Sequence, residues 1–307
     1  MPHITSLESL HLNGAWLTIG VFDGVHRGHQ EIIRQLTAGA HQHGAPAVLL
    51  SFSPHPAVFF GAKDLKCLTT PEERAEIIEA LGVDYVVTQT FDQVVASQTA
   101  EEYMAHMLRH LGLKKLLIGY DFALGKGRAG NYEKLSQIGR ESGFEVERVE
   151  AVRFEDGVVS SSIIRQRLTD GDVAGVAAKL GRFYALSGPV NPGDGRGRTI
   201  GIPTANVEAP ADKALPANGV YACYAWVDGQ KHQAVTNIGV RPTFASAEPI
   251  QRVEAHLLDA YADYYGKTMR LEFVERLRGE QKFPSVEALV AQIHSDIEQA
   301  RTFLRNE

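Results

Sequence analysis

Two histidines three residues apart, His26 and His29, stand in the string GVFDGVHRGH, with Gly24 and Gly28 beside them. Glycine at these points lets the backbone turn sharply and approach a ligand closely. Ile32, Ile33, Leu36 and Ala40 follow at helical spacing, so the turn opens directly into a helix whose first unpaired N–H groups attract anions. Imidazole donors at such a turn suit phosphate oxygens that gain charge during phosphoryl-group transfer, and no nucleophilic side chain is needed. Residue types alone also fit a helix-capping pair, whereas a zinc centre finds no further ligand cluster at suitable spacing.

Three other stretches carry possible chemistry. VSSSIIRQRL, residues 159–168, sets the hydroxyls of Ser161 and Ser162 at a helix start with Arg165 in its first turn, a combination suited to triphosphate oxygens and equally to ordinary capping. GDGRGRTIGIPTANV, residues 193–207, has the glycines and arginines of a phosphate loop. It is not a P-loop, because no Gly-Lys-Ser/Thr follows and no helix opens there. Gly125, Gly127 and Gly130 spell G-x-G-x-x-G, but they begin several residues after their strand, so a nicotinamide dinucleotide site is rejected.

The elements that must position these groups alternate through the first half. A buried strand precedes Phe22, and a second over 47–52 is stopped by Pro54 and Pro56, which stiffen a loop around His55. Thr70-Pro-Glu-Glu73 predicts a boxed helix start, with Gly82 as the stop. Strand 84–88, a capped helix from Thr99 to Gly112, strand 115–119, a helix from Asn131 to near Gly143, strand 144–149 and a helical stretch from Ser161 to Leu180 complete the series. That order predicts a doubly wound parallel sheet with ligands beyond the carboxyl ends of its strands.

The pattern changes near Gly181. Strand-like segments over 185–190, 219–227, 232–238, 252–258 and 269–275 follow one another, with Asp228-Gly229 as a two-residue hairpin, and predict an antiparallel barrel. Ser285 then caps a long helix that turns Val286, Leu289, Val290, Ile293, Ile297 and Leu304 towards the barrel. The expected division is therefore 1–183 and 184–307.

A chain of 307 residues with 44% hydrophobic content supports two cores. The net charge of −6, with no basic run interleaved with aromatics, gives no footing for nucleic acid. Cys67 and Cys223 are the only cysteines, which fits a reducing cytoplasm. The expectation is no leader and no membrane span, since the start lacks a basic region before an apolar one and no apolar run approaches roughly 18 residues. The oligomeric state stays open.

GVFDGVHRGH resembles the His-x-Gly-His signature of the nucleotidylyltransferases, and in particular the bacterial bifunctional riboflavin kinase/FMN adenylyltransferases, or FAD synthetases. GYDFALGKGRAGN at 119–131 resembles their flavin-nucleotide loop, and VSSSIIRQRL their Ile-Ser-Ser-Thr-x-x-Arg string, with Ser162 for Thr and Ile163 for Arg. GIPTAN resembles the Pro-Thr-Ala-Asn of riboflavin kinases. NGVYA, NIGVRPTF, VEAHLLD, DYYGK and LRGEQKF then match in order, so the likeness covers nearly the whole chain. A binding protein that had lost catalysis should have lost HRGH or PTAN, and both are present.

The resemblance implies an α/β doubly wound nucleotidylyltransferase domain followed by an antiparallel β-barrel riboflavin kinase domain with a C-terminal helix. It implies conversion of riboflavin to FMN with ATP, then of FMN to FAD with a second ATP. His26, His29 and Glu254 would be catalytic, Glu254 as base for the riboflavin hydroxyl. ATP and phosphate would fall to Gly24, Gly28, Ser161, Ser162, Arg165, Gly195, Gly197, Thr204 and Asn206, with Mg2+ on Thr204 and Asn206. Flavin contacts would come from His55, Asp121, Phe122, Arg128 and Arg278.

Overall fold

The computed structural model describes residues 3–154, 157–193, 197, 200–241, 250–260 and 262–305. They form two compact units, Met1–Ser161 and Ser162–Glu307.

The first unit runs β1 (Trp16–Ile19), α1 (Arg27–Gln42), β2 (Ala47–Ser53), α2 (Pro56–Phe59), α3 (Pro71–Ala80), β3 (Tyr85–Thr90), α4 (Gln93–Ser97), α5 (Ala100–Leu111), β4 (Lys115–Gly119), α6 (Tyr132–Ser142) and β5 (Glu145–Val149). The five strands are parallel in the order β3-β2-β1-β4-β5. Helices cover both faces, so the inner strands β1, β2 and β4 carry runs of buried residues, whereas on the edge strand β5 only Val149 is buried. Leu50 faces one layer with Leu17, Met104 and Met107, while Leu49 faces the other with Ile33 and Ile78. The expected capping boxes form at Thr70 with Glu73 and at Thr99 with Glu102. Strand order reverses between β1 and β4, which opens a crevice beyond their carboxyl ends. A short hairpin, β6 (Arg153–Phe154) and β7 (Gly157–Val158), follows.

Helix α7 (Ser161–Asp170) opens at the last residue of the first unit, and α8 (Val173–Leu180) follows it. The single helix expected from Ser161 to Leu180 is thus two helices. Gly171 breaks it at φ 81°, and a Cβ there would lie 2.6 Å from the Arg276 guanidinium. The barrel comprises β8 (Tyr184–Asn191), β9 (Ala205–Val207), β10 (Gly219–Val227), β11 (Gln230–Arg241), β12 (Ile250–Leu257) and β13 (Thr268–Arg278), closed in the order β10-β11-β12-β9-β8-β13. Asp228 and Gly229 take φ 48° and 76°, as a two-residue hairpin requires. Strand β9 was not expected, because three residues are too few to display an alternation. Helix α9 (Val286–Leu304) lies against β10, β11 and β13. Its expected inner face is corrected at Val286, which is 57% exposed; the buried positions are Asp296, Ala300 and Leu304. Among the described residues no helix is long and apolar enough to cross a membrane.

Candidate active sites

The turn after β1 is built on an unusual backbone. Phe22 and Val25 hold φ of 52° and 40° on either side of Asp23 and Gly24, values that residues with a side chain seldom adopt. Asp23 holds it: 2% exposed, its carboxylate accepts the N–H groups of Leu68 and Thr69 at 2.9 and 3.1 Å and the Thr69 hydroxyl at 3.3 Å. The Gly24 N–H donates to that hydroxyl at 3.0 Å. Gly24 has no space for a side chain, since a Cβ would come within 2.7 Å of Leu68 Cδ1. The Ser161 hydroxyl donates to the Asp23 carbonyl at 2.9 Å and clasps the turn from the far end of the unit.

His26 then caps α1, its Nδ1 accepting the His29 N–H at 3.3 Å. That bond leaves the His26 proton on Nε2. The two rings stack with centroids 3.7 Å apart and 16° between their planes, and Phe22 meets His29 edge-on at 5.0 Å. Gly28 makes room for the stack, because a Cβ there would sit 3.1 Å from the His26 ring and 3.2 Å from Val159. The expected capping is therefore present, and both rings stand at the start of α1, where the first N–H groups of a helix attract anions. Burial, then the neighbouring His26 and Arg74, hold the His29 pKa well below 6.5, so His29 is neutral at neutral pH. Its Nδ1 is buried with no hydrogen-bond partner among the described residues.

The neighbouring strand ends carry the other expected groups of this unit. After β2, His55 caps α2 by accepting the Ala57 N–H at 3.0 Å. Phe52, Phe59, Phe60 and Phe91 form an edge-to-face cluster with centroids 5.2 to 5.8 Å apart. The sequence reading missed this apolar surface, since its members come from separate segments. After β4, Phe122 packs on the core and Arg128 donates to the Asp121 carbonyl at 3.1 Å. Leu124 and Gly130 close that loop by exchanging backbone bonds of 3.1 and 2.9 Å. Ser162 and Arg165 belong to α7 in the second unit.

In the second unit the register sets one polar row across four strands. Asn237 on β11 faces Glu254 on β12, Glu254 faces Asn206 on β9, and Asn206 faces Asn191 on β8. Residues opposite one another on one face have Cβ atoms about 4.5–5.5 Å apart, so Glu254 and Asn206 are immediate neighbours. Two glycines of the 193–203 segment approach these residues: a Cβ on Gly193 would lie 2.1 Å from Asn206 Nδ2, and one on Gly197 3.5 Å from Thr204 Oγ1. Gly195 lies outside the described residues. His256 Nδ1 is 2.7 Å from the Pro203 carbonyl; it must carry the proton to donate, and so fixes the backbone that presents Thr204. Asn237 and His256 had no role in the sequence reading, which matched their strings without knowing the register.

A cavity of ≈ 360 Å³ lined by Val190, Ala205, Ala255, Leu257 and Tyr264 also touches Thr204. It lies on the opposite, inward side of β9 and β12, and Glu254 and Asn206 do not line it. Arg278 is held by Asp296, which is 1% exposed, through bonds of 2.8 to 3.0 Å. Its guanidinium lies 5.6 Å from the Phe283 ring.

With this geometry in place, comparison with known proteins is specific. Residues 8–163 match the family model described as FAD synthetase, and residues 180–304 the one described as riboflavin kinase. The bifunctional riboflavin kinase/FMN adenylyltransferase of Escherichia coli strain K12 is 38% identical, over 98% of this chain and 96% of its own. That of Bacillus subtilis strain 168 is 35% identical, over 94% and 92%. A solved structure from Streptococcus pneumoniae, described as a macrolide-efflux protein, is 31% identical with a TM-score of 0.90 over 98% of both chains.

Proposed function

We propose roles for individual residues from the premise that this chain belongs to the bifunctional riboflavin kinase/FMN adenylyltransferase family. As a member it phosphorylates riboflavin to FMN with ATP, and adenylylates FMN with a second ATP to give FAD and pyrophosphate. Residues 1–183 carry the adenylyltransferase and 184–307 the kinase in this reading.

In adenylyl transfer an FMN phosphate oxygen attacks the α-phosphorus of ATP, and the bond to the β-phosphate oxygen breaks as pyrophosphate leaves. The stacked pair at the start of α1 carries the assignment. His26 and neutral His29 donate hydrogen bonds to oxygens that gain charge, beside the N–H groups of the first helical turn around Gly24 and Gly28. Ser161, Ser162 and Arg165 are assigned to the ATP phosphates. His55, Asp121, Phe122 and Arg128 are assigned to the flavin nucleotide, with the phenylalanine cluster as a surface for its ring system.

In the kinase, Glu254 accepts the proton of the riboflavin 5′-hydroxyl while that oxygen attacks the γ-phosphorus and ADP leaves. The pairing of Glu254 with Asn206 supports this, since it sets a base beside a phosphate-side amide. Gly195 and Gly197 are assigned to the loop over the nucleotide, and Arg278 to the flavin side. Thr204 and Asn206 offer the hard oxygen donors suited to Mg2+, which usually takes one or two protein groups together with phosphate oxygens. When bound, the ion supplies charge neutralisation on the phosphates. We place the protein in the cytoplasm, with both cysteines free thiols.

Chromatography of riboflavin and FMN reactions, each with ATP and magnesium, tests the residue roles. His26→Ala should abolish FAD while sparing FMN formation, and Glu254→Gln should lower FMN formation by roughly 10²-fold or more while FAD still forms from supplied FMN. A Glu254→Gln protein that phosphorylates riboflavin normally would remove Glu254 as the base.

A further inference from the structure

Arg74, in the first turns of α3, is 3% exposed. Its Nη2 donates to the Phe52 carbonyl at the end of β2, at 3.1 Å. Its Nε is buried and has no hydrogen-bond partner among the described residues. Among the described residues no carboxylate forms an ion pair with it. Asp23, Cys67 and Glu72 act on it electrostatically without pairing with it, and the Asp23 carboxylate already accepts from Leu68 and Thr69. Burial is the largest influence on the guanidinium and pulls its pKa below the usual arginine value. A cation enclosed in protein is costly unless something negative completes it. The segment that opens α3 joins this residue to the phosphate turn: the Thr69 hydroxyl accepts the Gly24 N–H at 3.0 Å and the Arg74 N–H donates to the Thr70 carbonyl at 3.0 Å, and the guanidinium acts electrostatically on His29.

We propose that Arg74 is a positioning residue for adenylyl transfer, a buried cation that fixes where the phosphate groups gathered at the His26–His29 turn come to rest. The missing counter-charge is then the nucleotide's own phosphate, from ATP or from FMN. Asp23 shapes the turn and Arg74 supplies its charge, and both are tied to the entrance of α3. The inference rests on reading the first unit as the adenylyltransferase.

The test uses the full chain as Arg74→Met and Arg74→Lys. FAD formation is measured with ATP varied at saturating FMN, then with FMN varied at saturating ATP. Urea unfolding of the first unit is followed with and without ATP, and riboflavin phosphorylation in the same chain is the internal control. Arg74→Met should raise KM roughly tenfold or more for whichever substrate's phosphate it meets, change kcat less, and leave FMN formation intact. Arg74→Lys should restore much of the loss. Removing a buried cation that has no ion-pair partner should leave the ligand-free unit as stable as before or more so, whereas a purely structural arginine would lower its stability. Unchanged KM in both series overturns the proposal, and so does a first unit that is destabilised in both variants. Wild-type protein that forms no FAD overturns the underlying reading and the proposal with it, a failure told apart because it appears before any substitution.

Discussion

Replacing Asp23 by alanine should loosen the adenylyltransferase turn at its anchor. The carboxylate accepts two backbone N–H groups and one hydroxyl while 2% exposed. Bonds to a charged acceptor contribute about 1.5–3 kcal/mol each, and a buried donor left unsatisfied costs about 1–3 kcal/mol. The Thr69 hydroxyl can rotate elsewhere, but the Leu68 and Thr69 N–H groups cannot, so Asp23→Ala should destabilise the first unit by about 3–5 kcal/mol. Asp23→Asn keeps one carbonyl acceptor, and its cost should be about 1–2 kcal/mol. The chain's two tryptophans are Trp16 in β1 and Trp226 in the barrel, so urea unfolding monitored by fluorescence in a Trp226→Phe background reports the first unit alone. FAD formation should fall with the alanine change while FMN formation persists. A midpoint shift worth less than about 1 kcal/mol, with FAD formation intact, would refute the idea that this carboxylate holds the positive-φ turn.

His29 links stability to pH. Its pKa in the folded protein lies below the unfolded value of 6.5, so below that pH the unfolded chain binds the extra proton. Stability of the first unit should therefore be full above about pH 6.5 and fall as the pH drops further; His29→Gln should flatten that part of a urea-midpoint series. In the barrel, Arg278→Ala would strand the buried Asp296 carboxylate and should destabilise the second unit by about 3–5 kcal/mol, while Arg278→Met with Asp296→Leu should recover most of it, as read by Trp226 in a Trp16→Phe background. Gly28→Ala crowds the His26 ring at 3.1 Å. It should lower FAD formation with little change in unfolding midpoint, and undiminished FAD formation would show that the stacked geometry is dispensable.

Much of the fold was legible because its signals are local. The Thr70 and Thr99 boxes, Gly112 and Gly143 in left-handed C-cap positions, and the Asp228-Gly229 turn each act within four residues. Strand β9 has only three residues, and it becomes a strand through its neighbours β8 and β12. The glycine that splits α7 from α8 is a single residue in an otherwise helical pattern, so only its contact with Arg276 reveals why the chain must turn there.

Within the candidate sites the same division separates motif residues from the groups that hold them. His26 and Gly28, or Thr204 and Asn206, sit close together in the chain, in strings that carry the resemblance to nucleotidylyltransferases and riboflavin kinases. Their supports do not. Asp23 reaches across 45 residues to Leu68, and His256 reaches across 53 to Pro203. Both sites nevertheless follow one plan: a glycine whose missing side chain admits the functional group, Gly28 against His26 and Gly193 against Asn206, and a polar anchor from a distant segment that holds the backbone beneath. Substitution of either anchor should therefore impair only the reaction of its own unit. A His256→Ala chain that lost FMN formation while still making FAD from supplied FMN would bear this out, and equal losses in both reactions would contradict it.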